Sequence, residues 1–115
     1  MSRDINIHIG TPEEMGQRFI NAWHRAERGE EVDETHITFC DLESLLTALT
    51  PKRLRLLRYV RHNHVRNVKA LASDLRRDYK NVHKDVKELT KIGLLARTKE
   101  RVVAPFAQVA ANLVL

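Results

Sequence analysis

The hydrophobic positions in the first fifty residues change between strand-like and helix-like spacing. Isoleucines at every second position over 5–9 predict a half-buried strand. Residues 12–28 then carry apolar side chains at helical spacing, after the capping residue Thr11 and a first-turn proline. We expect this stripe to lie in the core: Met15, Phe19, Ala22, Trp23 and Ala26. A short strand at 37–39 and a helix at 42–49 complete a strand-helix-strand-helix leader.

Three further helices and a hairpin follow in the second half. Apolar spacing predicts helices over 51–61, 68–75 and 79–91. Each helix start has its own capping residue: Thr50, Asn67 and Asp78. Gly93 can close the last helix, and residues 94–104 predict two short strands around a polar turn. The predicted class is α+β, because this order of elements is that of a winged helix-turn-helix domain.

Charge divides the chain into two halves of opposite sign. Residues 1–50 hold four arginines and ten acidic residues, a net charge of −6. Residues 51–101 hold 16 basic and five acidic residues, a net charge of +11, and residues 102–115 carry no formal charge. This excess of positive charge attracts a polyanion, and duplex DNA is the first candidate. The alternative is a lysine-rich face that serves only solubility.

The helix predicted over 79–91 has one apolar face and one basic face. At about 100° per residue, three apolar side chains fall within about 60° of one another: Val82, Val86 and Leu89. The lysines lie on the opposite side: Lys80, Lys84, Lys87 and Lys91. Asn81 and His83 flank these lysines, where they could exchange hydrogen bonds with base edges. Because the like charges repel by about a few tenths of a kcal/mol per pair, the row favours a phosphate partner.

Two further basic clusters lie on the neighbouring elements. One is on the predicted hairpin and would meet the adjacent groove or backbone as a wing: Arg97, Lys99 and Arg101. The other flanks the start of helix 79–91 and is a candidate for phosphate contacts: Lys69, Arg76 and Arg77. We expect both clusters and the helix to form one continuous basic surface.

Three stretches of the second half resemble a known family. They are Leu49-Thr50-Pro51-Lys52-Arg53-Leu54, Val68-Lys69-Ala70-Leu71-Ala72-Ser73-Asp74-Leu75 and Asp78-Tyr79-Lys80-Asn81-Val82-His83-Lys84-Asp85-Val86-Lys87. Together they are similar to predicted prokaryotic winged-helix transcriptional regulators related to the MarR and ArsR groups, over residues 49–104. The resemblance implies double-stranded DNA binding, usually as a dimer, with the hairpin 97–101 as the wing. It also implies a set of residues that face the groove: Tyr79, Lys80, Asn81, His83 and Lys84.

Motifs for other functions are missing from the sequence. Its four glycines form no phosphate-binding loop, dinucleotide turn or nucleophile elbow, so we expect no enzyme activity and no cofactor. The spacing of His62 and His64 is poor for a metal site. A lone cysteine, Cys40, is compatible with a reducing compartment, and we expect it to be buried. The longest uncharged run, 102–115, is too short to span a membrane, so the expected location is the cytoplasm, in association with the nucleoid.

These observations predict a sequence-specific double-stranded DNA-binding transcriptional regulator that acts as a dimeric repressor. Residues 1–49 form an acidic leader, 50–104 the DNA-binding module and 105–115 an apolar segment available for a dimer contact. The alternative is an antitoxin-like protein that neutralises a partner protein and represses its own operon. The acidic leader would then bind the partner through five residues: Glu27, Glu30, Glu31, Asp33 and Glu34.

Overall fold

A computed structural model describes residues 3–10, 12–29 and 35–112. In these residues the chain forms five helices and five strands, and the architecture is α+β, as predicted. The elements are β1 (Arg3–Ile9), α1 (Pro12–Glu27), β2 (Thr35–Phe39), α2 (Leu42–Ala48), α3 (Pro51–His62), α4 (Val68–Leu75), α5 (Tyr79–Lys91), β3 (Ala96–Arg97), β4 (Val102–Val103) and β5 (Phe106–Asn112).

The chain divides into two compact units. The first, which we call the basic unit, is built on Leu46–Ala107 and contains α3, α4, α5, β3 and β4. The second, which we call the sheet unit, is built on Asp4–Leu45 together with the residues from Gln108 onward. Among the described residues, none of the helices is long and apolar enough to cross a membrane.

Side-chain caps fix where the helices of the basic unit begin. Thr50 Oγ1 accepts a hydrogen bond from the Arg53 backbone N at 3.2 Å, and Asn67 Oδ1 accepts one from the Ala70 backbone N at 2.8 Å. Both caps are as predicted. Asp78 occupies the corresponding position before α5, but its side chain makes no capping bond.

The core of the basic unit is formed by one face from each of its three helices. Its buried side chains are Leu56 and Val60 of α3, Val68, Leu71 and Ala72 of α4, and Val82, Val86 and Leu89 of α5. Arg76 caps the C-terminus of α4 in a left-handed backbone conformation (φ 54°), and its N–H donates to carbonyls of the last turn of the helix. The chain can therefore turn within three residues and bring α5 against α4.

A small antiparallel sheet closes the basic unit. β3 pairs with β4, and Val102 of β4 also bridges to Val65, whose carbonyl accepts a hydrogen bond from the Val102 N–H at 2.8 Å. Arg61 Nη1 donates to the Ala104 carbonyl at 3.1 Å, which ties α3 to the chain just after β4. The hairpin predicted over 94–104 is present, with shorter strands than expected.

The sheet unit contains a three-stranded sheet in the order β2-β1-β5. β1 and β2 run parallel, in register from Ile5 opposite Thr35 to Ile9 opposite Phe39. Parallel neighbours need a crossover, and α1 provides it. Ile5 and Ile7 are fully buried. The third strand, β5, was not predicted, because its uncharged sequence lacks a clear alternation of polar and apolar residues.

Polar side chains of β1 and β2 meet on one face of this sheet. His8 Nε2 and His36 Nδ1 are 2.8 Å apart, and Arg18 Nη2 of α1 donates to Thr38 Oγ1 at 2.6 Å. The pKa of His8 is lowered, first by the loss of solvation and then by the neighbouring Arg18 guanidinium and His36 ring. The folded sheet unit therefore favours the neutral form of His8.

The expectation that the α1 stripe lies in the core is wrong for the large side chains of the stripe that the structure describes, although Ala22 is half-buried. Phe19 is 70% exposed and Trp23 58% exposed, and Ala26 is exposed as well. α1 instead directs Arg18 toward the sheet. Helical spacing indicates which side chains share a face but not what covers that face. Cys40 was expected to be buried and is exposed.

Candidate nucleic-acid interface

Helix α5 presents a long row of polar and basic side chains to solvent. The apolar stripe is buried, as its spacing predicted, and the opposite face is open. Its exposed side chains include all of the residues predicted to face a groove: Tyr79, Lys80, Asn81, His83, Lys84 and Lys87. The rings of Tyr79 and His83, one turn apart, lie 5.7 Å from centroid to centroid.

The exposed face of α5 has two sides. Taking Val82 as the centre of the buried stripe, Asn81 and Lys84 fall at about 260° and about 200°. The other side, between about 60° and about 160°, carries a different set: Tyr79, Lys80, His83 and Lys87. The first side continues into a cleft, and the second does not line that cleft.

A buried ion-pair triad underlies the first side. Arg53 Nε of α3 lies 3.0 Å from Asp85 Oδ1, and Arg77 Nη2 lies 2.7 Å from Asp85 Oδ2. The side chains of all three residues are at least four-fifths buried. Arg53 Nη1 also donates to the carbonyls of Ala48 at 3.0 Å and Thr47 at 3.3 Å, which satisfies the end of α2. The triad joins the end of α2, α3, the turn before α5 and the middle of α5.

Sequence reasoning missed this triad. A signal was nevertheless available, because Asp85 falls about 60° from Val82 and therefore on the apolar side of a lysine-rich helix. An acidic residue at such a position requires a buried cationic partner. The pattern gave no means of choosing Arg53 and Arg77 among the 16 basic residues of the segment 51–101.

The triad forms one wall of an open cleft of about 290 Å³. The cleft is lined by Thr50, Lys52, Arg53, Arg77, Asn81, Lys84 and Asp85. Four of these side chains are cationic and one is a carboxylate, so the lining has an excess of positive charge. Lys52 and Lys84 are exposed at its mouth, while the two arginines are held below by Asp85.

Of the remaining predicted phosphate contacts, Arg76 and Arg77 lie in the turn between α4 and α5, whereas Lys69 lies in the first turn of α4, away from the start of α5. Lys69 and Arg76 are exposed. The Arg77 side chain is mostly buried, and one end of its guanidinium is paired with Asp85. Arg77 stays a candidate for a phosphate contact, but the triad sets its position.

The hairpin holds its basic residues around a turn that Thr98 organises. Thr98 Oγ1 accepts hydrogen bonds from the backbone N–H groups of Glu100 at 3.3 Å and Arg101 at 3.0 Å. Its backbone N–H donates to the Arg101 carbonyl at 2.9 Å. The side chains of Arg97, Lys99 and Arg101 are all exposed. Arg101 lines a groove of about 270 Å³ along with neighbours that include His62 and His64.

The acidic loop predicted as a partner surface cannot be placed. Glu30, Glu31, Asp33 and Glu34 lie outside the described residues, as does the predicted cap Thr11. Glu27 is exposed at the end of α1, where it accepts a hydrogen bond from Trp23 Nε1 at 2.5 Å. The antitoxin-like alternative therefore stays a prediction.

The fold and the exposed basic helix together define a small α+β protein with a concentrated cationic surface. The chain belongs to the HVO_A0114 family, whose model matches residues 48–111, from the end of α2 through most of β5. No curated protein and no solved structure matches the chain. The resemblance to MarR-like and ArsR-like regulators stays a prediction.

Proposed function

We propose that the protein is a sequence-specific double-stranded DNA-binding transcriptional regulator. In this proposal α4 and α5 are a helix-turn-helix, α5 is the recognition helix and the β3–β4 hairpin is the wing. The observation that carries the proposal is the division of α5 into a buried apolar stripe and an exposed basic face. A recognition helix needs both faces, because one must pack on its own domain while the other enters a groove.

The energetics of the exposed face favour a polyanionic partner. Its lysines repel one another by about a few tenths of a kcal/mol per pair, and an isolated solvated helix gains nothing in return. Phosphates of a duplex would remove this repulsion and release counterions, a large source of affinity for DNA. The hydrogen-bonding groups of Asn81 and His83 lie among the same lysines, where base edges could be read.

The small sheet supports the assignment of the hairpin as a wing. Val65, just before α4, bridges to β4, and β4 pairs with β3 directly after α5. Short antiparallel pieces of chain thus come before and after the helix pair and are bonded to one another, an arrangement expected of a winged domain. The turn at 98–101 is fixed by Thr98, which keeps the three exposed basic side chains of the hairpin close together.

We also propose that the regulator acts as a dimer and represses by occupying a promoter. One recognition helix reads only a few base pairs, so two are needed for a specific site. β5 is available for the contact: it is an edge strand among the described strands, and Phe106–Asn112 contains no charged residue. Edge strands that do not pair with a second chain usually carry charges or proline. Two copies of one strand can pair antiparallel across a two-fold axis.

The test is selection of a binding site from a pool of random duplexes, followed by affinity measurements at several salt concentrations. We expect the logarithm of the binding constant to fall with the logarithm of the salt concentration, with a slope of about −5 to −7 for five to eight phosphate contacts. His83→Ala should reduce discrimination between the selected site and random DNA by about 1–3 kcal/mol. Arg58→Ala, which removes an exposed charge from α3, controls for charge loss alone. A flat salt response of the wild type would overturn the proposal.

A further inference from the structure

We propose that the cleft between the start of α3 and α5 is a binding site for one phosphate group. If the proposed DNA binding holds, on which this assignment to the duplex rests, the occupant is a backbone phosphodiester. The two sides of the exposed face of α5 would then have different roles. The side that lines the cleft positions the protein on the DNA backbone, and the other side faces the bases.

The charges of the cleft suit a single anion. Lys52 and Lys84 are exposed at its mouth, on two different helices, so an anion between them gains from both. The Asp85 carboxylate does not compete with an anion for the two lysines, because each of its oxygens already accepts a hydrogen bond from an arginine. The carboxylate cancels only part of the charge of Arg53 and Arg77, which leaves the cleft cationic.

The triad also fixes the donors before any ligand binds. Arg77 Nη2 is held on Asp85, whereas Arg77 Nη1 is buried and finds no acceptor among the described residues. A donor in that condition costs free energy, which an anion that accepted its hydrogen bond would recover. An arginine whose position is set in advance loses little side-chain entropy on binding.

The start of α3 adds a backbone contribution. α3 is 12 residues long, and the partial positive charge of its first turn lies at Thr50 and Lys52, which line the cleft. Phosphate groups bind readily where such a helix end meets cationic side chains. The helix end alone would bind an anion weakly. Here it lines the same cleft as four cationic side chains, which come from α3, from the turn before α5 and from α5 itself.

This assignment changes the role expected for two residues of α5. Asn81, which the sequence placed at a base edge, and Lys84, which it placed among the groove-facing residues, belong to the phosphate side because they line the cleft. Base reading would fall to the other side of the helix, where the rings of Tyr79 and His83 lie 5.7 Å apart and are tilted by 39°. The consequence is that losing Lys84 should weaken binding to every duplex equally.

The experiment compares Lys52→Ala and Lys84→Ala with the control Arg58→Ala, and includes Lys84→Arg as a conservative rescue. Circular dichroism first establishes that each variant is folded. Salt dependence is then measured on the selected site and on random DNA. We expect each alanine variant to reduce the salt slope by about 0.9, one phosphate contact, with an unchanged ratio of affinities for the two DNAs. Lys84→Arg should restore the slope, and Arg58→Ala should leave the ratio and the slope nearer to wild type.

The outcomes separate this inference from the proposed function. If the wild type binds DNA with a steep salt slope but both alanine variants keep that slope, the cleft holds no phosphate and the proposed function stands. If Lys84→Ala weakens the selected site but not random DNA, Lys84 reads a base and the inference is wrong.

If the wild type binds no duplex, the proposed function fails and inorganic phosphate decides about the cleft. Amide signals of Lys52, Asn81 and Lys84 are then followed by NMR during titration with phosphate, against chloride at equal ionic strength. Saturable shifts that Lys52→Ala weakens at least about fivefold would support a phosphate site for a different ligand. Shifts equal to those in chloride would overturn it.

Discussion

The basic unit and the sheet unit use their hydrophobic faces differently. In the basic unit the apolar stripes of α3, α4 and α5 face one another, and the polar residues that remain inside are paired, as Arg53 and Arg77 are with Asp85. In the sheet unit, β1 contributes fully buried isoleucines, while α1 leaves Phe19 and Trp23 in solvent. Among the described residues, the basic unit buries the apolar stripes of its helices, whereas α1 of the sheet unit leaves its two largest apolar side chains exposed.

The difference shows what an amphipathic pattern can establish. A stripe at helical spacing reports that side chains share a face. Whether that face is buried depends on the elements that pack against it. In the basic unit, the helices α3, α4 and α5 bury one another's apolar faces. Large exposed apolar patches on soluble proteins usually mark contacts with other molecules. The sheet unit is therefore where protein contacts are expected, and the basic unit is where DNA contacts are expected.

Truncating one apolar side chain in each unit tests the comparison with the largest effect. Leu71→Ala empties a fully buried position and should lower the free energy of unfolding by about 2–5 kcal/mol. Trp23→Ala, although it removes a larger side chain, should cost less than about 1 kcal/mol in dilute protein, because the indole is mostly exposed. Urea denaturation measures both. Equal losses of unfolding free energy in the two variants would mean that the apolar face of α1 is buried.

Breaking the triad should be the next largest effect. Asp85→Asn removes the charge that two buried guanidinium groups share, and should destabilise the basic unit by about 3 kcal/mol. Asp74→Asn is the matched control, because Asp74 is exposed and accepts only the Tyr59 hydroxyl at 2.8 Å. Urea midpoints of the two variants within experimental error of each other would show that the triad contributes little to stability.

The dimer contact can be assigned to one of two surfaces. Val109→Lys places a charge on the edge strand β5, where Val109 is 40% exposed, and should weaken self-association at least about tenfold by repulsion between like strands. Ile20→Lys places the same charge on the exposed face of α1. Sedimentation at tens of micromolar measures both. Dissociation by Ile20→Lys alone would move the contact to α1, and a monomeric wild type would remove the dimer.

Acidification should weaken the sheet unit by a smaller amount. The folded pKa of His8 lies below its unfolded value of about 6.5, so the unfolded chain binds this proton more readily. The contribution of His8 to stability is therefore present above about pH 6.5 and is lost as the pH falls toward the folded pKa. Urea unfolding followed at β1 amides by NMR should show this loss in the wild type and less of it in His8→Gln. The exposed His62→Gln should behave as wild type.

Much of the basic unit could be predicted from the sequence because its signals are local. Thr50 and Asn67 cap helices with their own neighbours three residues on, and Val82 and Val86 share a face within one helix. Such interactions need no knowledge of the rest of the chain. The α+β class followed from the same local patterns.

The features that were missed depend on contacts between distant residues. Asp85 pairs with Arg53 across 32 positions of sequence, and β5 joins β1 from the other end of the chain. Neither pairing can be predicted from the spacing of residues along the chain. Many arginines could have paired with Asp85, and β5 shows no alternation of polar and apolar residues. The cleft proposed to hold a phosphate depends on the first of these pairings, so the sequence alone placed Asn81 at a base edge and Lys84 in the groove-facing lysine row.

The most direct test of the division between the units is an NMR titration of the ¹⁵N-labelled protein with its selected duplex. The account predicts large amide shifts in α5, at the start of α3 and at the hairpin turn near Lys99, with those of α1 and β2 far smaller. Because phosphate contacts depend on counterion release, raising the salt from about 50 mM to about 200 mM should reverse most of the shifts. Shifts centred on Phe19 and Trp23, or none at low salt, would contradict it.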